Sequence, residues 1–393
     1  MARLSKQGLR EHFRGCLLGG ALGDSLGANV GSMPGGEIRQ AAGADDLQGP
    51  ARTSWRPGTI THQTQLTLFT AEGLLSPLAA EKRHDPDTVR QTLAAAYLRW
   101  LCTQGESPSL QHQVASGWLL DHAALHCRRS PGKAVMDSLT TLTRLDDAAG
   151  NDSKDCDGLM RVAPVGMFAR ALNYRVPRWC YRSKALEWAC DAALVTHGHI
   201  TAQLAAGAFS LMVYRVLCGC SITTAAKDAL KELSAYPGHE EVTLAVRIAL
   251  KLAKSQVTVS AGIRRLGDGR TADEALAIGV LCAVRAEDFA GGVQAAVSHD
   301  GHRSATGLIT GTLLGARLGA SALPQDGLEQ LDLRDVLETV ADDLSLQCYA
   351  DTADGNTAER AQRRARYGLA ASLSMMTPAS IADIEELSAL FDY

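Results

Sequence analysis

Apolar residues return every third or fourth position through most of the chain, the period of helices that bury one face. The spacing predicts helices over 9 to 30, 64 to 75, 86 to 104 and 109 to 129. It predicts further helices near 184 to 196, 201 to 219, 221 to 234, 239 to 254, 271 to 284, 286 to 298 and 305 to 323. No stretch alternates apolar and polar residues for long enough to read as a strand. Polar, glycine-bearing stretches at 31 to 58, 148 to 166 and 298 to 304 read as loops. No linker divides the chain, so a single all-α domain is expected.

Two helices carry the same unusual rib. Gly15, Gly19, Gly23 and Gly27 recur at four-residue spacing in the first, and Gly307, Gly311, Gly315 and Gly319 in the last. Each glycine costs roughly 1 kcal/mol against alanine inside a helix. The offset expected is close approach of another backbone or of a ligand.

Composition narrows the class. Apolar residues make up 46% and charged residues 21%, the balance of a soluble globular protein. A net charge of -4 argues against nucleic acid or an anionic membrane as partner. Aromatics at 5%, with alanine, leucine and glycine abundant, favour close-packed helices over a β-sandwich. The start, MARLSKQGLREHFRG, lacks the apolar core of a signal peptide. No apolar run reaches the roughly 20 residues that span a bilayer. Ten cysteines are scattered without a C-x-x-C pair, Cys218 and Cys220 lying closest, which predicts free thiols in a reducing cytoplasm.

The chemistry gathers in a few polar clusters beside tightly packing helices. They are GALGDSLG (20 to 27), TITHQTQLTLFTAEGLL (59 to 75), NDSKDCDGLMRVAPVGMF (151 to 168), THGHITAQLAAGAF (196 to 209) and SHDGHRSATGLITGTLLGA (298 to 316). Thr61 reads as the N-cap of the second helix, which leaves His62 and Gln63 in its first turn. His122 and His126, at i, i+4 on the helix read over 109 to 129, are ordinary surface or core histidines. Asp342 and Asp343 in VADDL read as an exposed helix face.

Taken in this order, the clusters resemble the ADP-ribosylglycohydrolase family, relatives of the dinitrogenase reductase-activating glycohydrolase and of the ADP-ribosyl-acceptor hydrolases. The likeness runs from about residue 10 to 345. It implies an all-α orthogonal helical bundle with a dinuclear magnesium site at the base of a cleft, and hydrolysis of an N- or O-glycosidic bond to ADP-ribose. Residues 346 to 393 are expected to be a C-terminal helical extension packed on the same domain.

Magnesium demands hard oxygen ligands, and the family supplies them as carboxylates from Thr-Asp-Asp-Thr and Gly-Asp-Ser-Asp-Ser segments, with a further Glu after the first ribbed helix. Here Thr61 and Thr64 remain, while His62 and Gln63 stand at the two acids. Gly301 remains, His302 and Ser304 stand at the later acids, Arg303 lies between them, and the family Glu falls on Gly31. Asp24 remains and is expected to be structural. The reading is therefore of no magnesium site and no cofactor. His62, His299 and His302 offer imidazoles to a softer metal such as zinc, or simply fill space with hydrogen bonds.

The family's Gly-Cys-Gly-Gly loop reads Asp155, Cys156, Asp157, Gly158, and Asp300 stands where the family has Ser. These acids are the catalytic candidates, through water activation or stabilisation of an oxocarbenium-like transition state. Thr61, His62, Gln63, Cys156, Gly158, Met160, His197, His199, Gly301, His302, Arg303 and Ser304 are the substrate-binding candidates. Three functions stay open. One is a metal-independent N-glycosidic hydrolase of a ribosylated small molecule, such as a nucleoside, nucleotide or dinucleotide-derived metabolite. Another is an inactive pseudoenzyme that binds ADP-ribose or a partner protein, and the third an ordinary magnesium-dependent ADP-ribosyl hydrolase. The expected ligand is a riboside or ADP-ribose-like molecule, and the pattern sets no oligomeric state.

Overall fold

A computed structural model describes residues 6–30, 57–76, 86–110, 117–175, 180–347 and 357–367. Helices account for most of them: α1 (Lys6–Asn29), α2 (His62–Leu75), α3 (Pro86–Thr103), α4 (Lys133–Thr141), the short α5 (Asp157–Met160), α6 (Ala163–Arg175) and α7 (Cys180–Leu194). The chain continues through α8 (Ile200–Leu217), α9 (Ile222–Leu233), α10 (Glu240–Ala253), α11 (Val259–Leu266) and α12 (Ala272–Arg285). It ends with α13 (Phe289–Val297), α14 (Arg303–Leu318), α15 (Gln325–Gln330), α16 (Arg334–Leu346) and α17 (Thr357–Tyr367). Among the described residues the only extended pairing is the isolated bridge between Asp155 and Thr271.

The two glycine ribs face each other. A β-carbon on Gly23 would sit 2.0 Å from the Gly307 carbonyl oxygen, and one on Gly19 would sit 2.4 Å from that of Gly311. From the other side, a β-carbon on Gly315 would fall 1.9 Å from the Gly15 carbonyl oxygen. The backbones of α1 and α14 therefore touch along their length, and dispersion between them offsets the propensity cost of the glycines. This contact sets the N-terminus of α14 beside the C-terminal turns of α1. Asp24 then reaches across to α2: its carboxylate accepts from Thr61 N–H (2.9 Å), Thr61 Oγ1 (2.8 Å) and Thr64 Oγ1 (2.6 Å). Burial pushes its pKa up, with these bonds opposing. Asp24 is the structural tie the sequence led us to expect.

Every residue of α2 is buried, so its polar groups must find partners inside. Thr67 and Thr70 bond back to Gln63 O and Leu66 O, both at 2.9 Å. Gln65 accepts from Trp100 Nε1 (3.1 Å) and donates to Cys127 O (3.0 Å). Glu72 pairs with Arg99 Nε at 2.7 Å and accepts from Leu119 N–H at 3.2 Å. Around these groups Phe13, Phe69, Tyr97, Trp100, Phe168 and Trp188 are fully buried. Helix α8 is the centre of the other half, packed against α6, α7, α9 and α12. By length and composition it is apolar enough to cross a membrane, a run the sequence reading passed over; 83% of it is buried within the fold.

The helix expected over 109 to 129 is not found in its described part. Two 3₁₀ turns, Trp118–Asp121 and Ala123–Leu125, take its place. The buried Glu72 captures the Leu119 N–H, and the chain turns at Ser130 with φ 53°, so His122 and His126 do not share a helix face. The stretch read as a loop over 148 to 166 already contains α5 and the start of α6. Asp342 and Asp343 are not an exposed face. Asp342 accepts from Arg14 Nε (2.8 Å) and Nη2 (2.7 Å) and pairs with Arg10, while Asp343 is 1% exposed and takes Arg366 and Tyr367 of α17. Of the expected C-terminal extension, α17 is thus tied to α16; residues 348–356 and 368–393, like Gly31, lie outside the described residues.

Candidate active site

The loop from Asn151 to Asp157 is pinned to the start of α12 by Cys156 N–H to Arg270 O (3.1 Å) and Ala272 N–H to Lys154 O (2.9 Å). This delivers two carboxylates to the mouth of α2, and each meets a histidine. Asp155 Oδ1 accepts from His197 Nε2 at 2.5 Å, and its Oδ2 accepts from Ser153 Oγ at 2.7 Å. Its side chain keeps 38% of its surface open to solvent. Burial, the largest single influence, would raise the Asp155 pKa; the His197 hydrogen bond and charge, with the Ser153 hydrogen bond, together outweigh it and hold the carboxylate below its usual range.

Behind Asp155 runs a buried relay. Thr196 Oγ1 contacts His197 Nδ1 at 2.8 Å and accepts from Arg161 Nη2 at 2.5 Å. With Thr196 donating to Nδ1, Nε2–H is left to point at Asp155. Arg161 is fully buried, stacks 4.1 Å over the Tyr97 ring and also donates to Ala192 O at 2.8 Å. A glycine at 158 makes this possible, because a β-carbon there would lie 2.9 Å from His197 Nδ1. Arg161 and Thr196 escaped the sequence reading as individual site residues, although both sit inside the segments MRVAP and THGH that it singled out.

Asp157 lies deeper, 6% exposed. His62 Nε2 is 3.1 Å from its Oδ1, an ion-pair contact, and makes no hydrogen bond of regular geometry among the described residues. His62 Nδ1 contacts Arg129 O at 3.1 Å. Burial is the largest single influence on both, pushing Asp157 up and His62 down. The attraction between them, with His302 and His197 acting on Asp157 and the Arg129 carbonyl and Asp24 on His62, together outweighs it: Asp157 sits below the carboxylate range and His62 above the usual imidazole value. His302 adds to the same field and is itself pushed down by burial. Ligand atoms of Cys156, Asp157 and His302 all lie within 4.8 Å of one another. Gly132 floors the group, since a β-carbon there would meet Asp157 Oδ2 at 1.9 Å. Gln63 Oε1 is also buried here without a hydrogen bond among the described residues.

Other candidates are placed differently. His199 and His302 are N-caps, of α8 and α14, accepting from Thr201 N–H (3.0 Å) and Ala305 N–H (3.4 Å). Gly301 presses on the Asp268 carbonyl, which would lie 1.7 Å from a β-carbon, and Ser304 is half-buried in the first turn of α14. Arg303 is 5% exposed and clamps His299 O, Val30 O and Asp300, tying the end of α1 to α14 rather than reaching toward the acids. Asp300 is the exposed acid, with 77% of its side chain open. His299 has both ring nitrogens engaged, with Gly301 N–H and Thr306 Oγ1 each at 3.0 Å, and burial lowers it to about 4; it is therefore withdrawn from any metal set. Met160 is fully buried and, with Thr64, Thr67 and Gly20, lines a cavity with room for about one water. Cys156 is buried between two acids and its thiol is pushed well up, first by burial, which keeps it protonated and unreactive by itself.

A helical bundle whose acids come from a loop packed against helix starts defines the class of protein. The chain belongs to the ADP-ribosylglycohydrolase family, whose pattern it matches over residues 5–354. An uncharacterized protein of Archaeoglobus fulgidus is 25% identical over 337 residues, 85% of this chain and 95% of that one. A solved structure described as an "ADP-ribosylglycohydrolase-related protein complex" shares the fold with a TM-score of 0.56 at 23% identity, over 87% of this chain and 99% of that one. The family is one of hydrolases.

Proposed function

We propose that the protein hydrolyses an N-glycosidic bond in a ribosylated small molecule, a nucleoside, a nucleotide or a dinucleotide-derived metabolite, without the paired magnesium of its family. The observation that carries this reading is the pairing of each loop acid with a histidine, Asp155 with His197 and Asp157 with His62. The half-open Asp155 is the group placed to activate water or face an oxocarbenium-like ribose. Its relay through His197, Thr196 and Arg161 holds the carboxylate anionic and oriented. Asp157 raises the His62 pKa, which favours the protonated imidazole, a proton donor for a leaving nitrogen.

The magnesium reading fits the donors poorly. His62, Gln63, His302 and Ser304, at the family's acid positions, offer imidazole, amide and hydroxyl groups, and two Mg²⁺ ions call for several hard, anionic oxygens. Among the described groups beside them the buried carboxylates are Asp157 and Asp24, and Asp24 is already engaged by Thr61 and Thr64. We place the protein in a reducing, cytoplasmic setting, in keeping with the free state of all eight cysteines described.

The test is a turnover screen of ribosides, including nicotinamide- and adenine-containing dinucleotides, with bound metal measured on the same sample. We expect release of free ribose or ADP-ribose at a rate that added Mg²⁺ does not change. Two bound Mg²⁺ per chain would overturn the magnesium-free reading. Tight ADP-ribose binding with no turnover across the panel would leave the inactive binder in its place.

A further inference from the structure

We propose that Cys156, Asp157, His302 and His62 form a mononuclear site for a borderline-soft divalent cation, Zn²⁺ by its ligand chemistry. Sulfur, two imidazoles and one carboxylate oxygen are the donor types zinc takes in four-coordinate sites. They are a poor set for magnesium, which favours oxygen alone. The sequence had suggested His62, His299 and His302 as a softer set; the structure removes His299 and supplies Cys156 and Asp157 instead.

Three observations support the site, one on Cys156, Asp157 and His302 and two on His62. Ligand atoms of Cys156, Asp157 and His302 already lie within 4.8 Å of one another. The edge of a tetrahedron built on Zn–N and Zn–S bonds of about 2.0 and 2.3 Å is roughly 3.3–3.6 Å. The cluster is therefore wider than that edge by no more than about 1.5 Å. Second, His62 Nε2 is buried, makes no hydrogen bond of regular geometry among the described residues and stands 3.1 Å from Asp157 Oδ1, a separation already near that edge. Third, His62 Nδ1 meets the Arg129 carbonyl at 3.1 Å. That outer hydrogen bond fixes the proton on Nδ1 and turns the Nε2 lone pair inward, as carbonyl partners do for metal-ligating histidines.

His302 is held by only a 3.4 Å contact from Ala305 N–H, at the long limit of a hydrogen bond. It can surrender that contact to a cation. Binding deprotonates Cys156, whose proton leaves to solvent as the S–M bond forms, with no change of oxidation state. The cation then takes over from His62 the positive charge that neutralises Asp157.

The inference rests on the ligand cluster and not on turnover; where the cation is bound, His62 is a ligand and not a proton donor, so the hydrolase reading above describes the metal-free protein. The test uses the full chain, stripped with a chelator and titrated with Zn²⁺ and, separately, Co²⁺. We expect one Zn²⁺ per chain, unaffected by millimolar-scale Mg²⁺, and a thiolate-to-cobalt charge-transfer band in the near ultraviolet. Cys156→Ser should abolish that band, and His302→Ala should weaken Zn²⁺ binding by at least about tenfold, the lower bound for losing even an outer-sphere partner. Circular dichroism of each variant separates loss of a ligand from loss of fold, and the wild-type titration needs no variant. Absence of stoichiometric Zn²⁺ binding by the folded wild type, or a charge-transfer band that survives in Cys156→Ser, would overturn the proposal.

Discussion

The contact between α1 and α14 makes a quantitative prediction at Gly311. Alanine there removes a helical glycine and should gain about 1 kcal/mol of propensity. Its methyl carbon, however, would lie 2.1 Å from the Gly19 carbonyl oxygen and 2.8 Å from the Gly19 carbonyl carbon. Carbon and oxygen rest at roughly 3.3 Å or beyond, so the helices must part by about 1.2 Å at that rung. Backbone cannot rotate out of the way as a side chain can. The neighbouring rungs, Gly23 on Gly307 and Gly15 on Gly315, would loosen with it. Overpacking typically costs 1–3 kcal/mol, and with backbone on both sides the upper part of that range applies. The net expectation is destabilisation of about 1–2 kcal/mol, or a fall of a few degrees in Tm. Urea midpoints and thermal melts of Gly311→Ala measure it. Gly150→Ala serves as control, because a β-carbon there meets nothing within 4 Å. A Gly311→Ala protein as stable as wild type, or more so, would show that the ribs do not touch as described.

Three further expectations follow from the buried groups. Asp157 is depressed and His62 raised, so in the metal-free protein their contribution to stability is complete only above the unfolded carboxylate pKa and below the unfolded imidazole pKa, about 4 to 6.5. It fades as pH climbs through the raised His62 value, and again as pH falls through the depressed Asp157 value. Urea midpoints across pH should show that window in wild type and lose it in Asp157→Asn. In the second, His197→Ala removes the bond that holds Asp155 down. The acidic limb of the kcat/KM profile should then move to higher pH, and an unmoved limb would remove Asp155 from the chemistry. Third, Asp343→Ala should free α17 by cutting its ties to Arg366 and Tyr367, at about 1–3 kcal/mol. Limited proteolysis should then cut near 357–367 several-fold faster, and unchanged cleavage would contradict the docking.

Much of the fold could be read from the sequence because helical period and glycine spacing are local signals. The ribs at 15, 19, 23 and 27 and at 307, 311, 315 and 319 pointed to close approach, and the partner proved to be each other. The acids Asp155 and Asp157 were legible as new carboxylates in a loop, and the histidines at 62 and 197 as their neighbours' chemistry. Pairing was not legible, because which acid meets which histidine depends on the Cys156–Arg270 backbone bond between loop and α12. Tertiary capture of backbone groups also undid the helix expected over 109 to 129, where Glu72 takes the Leu119 N–H. Asp343 looked solvated because its arginine partner is 23 residues away on another helix. Arg303 looked like a pocket cation from its place between His302 and Ser304, yet α1 ends where Arg303 is drawn to Val30 O.

The central claim is that loop acids, each paired with a histidine, carry the hydrolysis in place of the family's magnesium-binding carboxylates. The most direct measurement is single-turnover cleavage of the best riboside from the screen by wild type, Asp155→Asn and Asp157→Asn, each checked for fold and for ligand affinity. The account predicts cleavage by wild type and a loss of about a hundredfold or more in rate for Asp155→Asn, with binding largely kept. Asp157→Asn should lose rate to a comparable degree. Wild-type rates retained in both variants would contradict it.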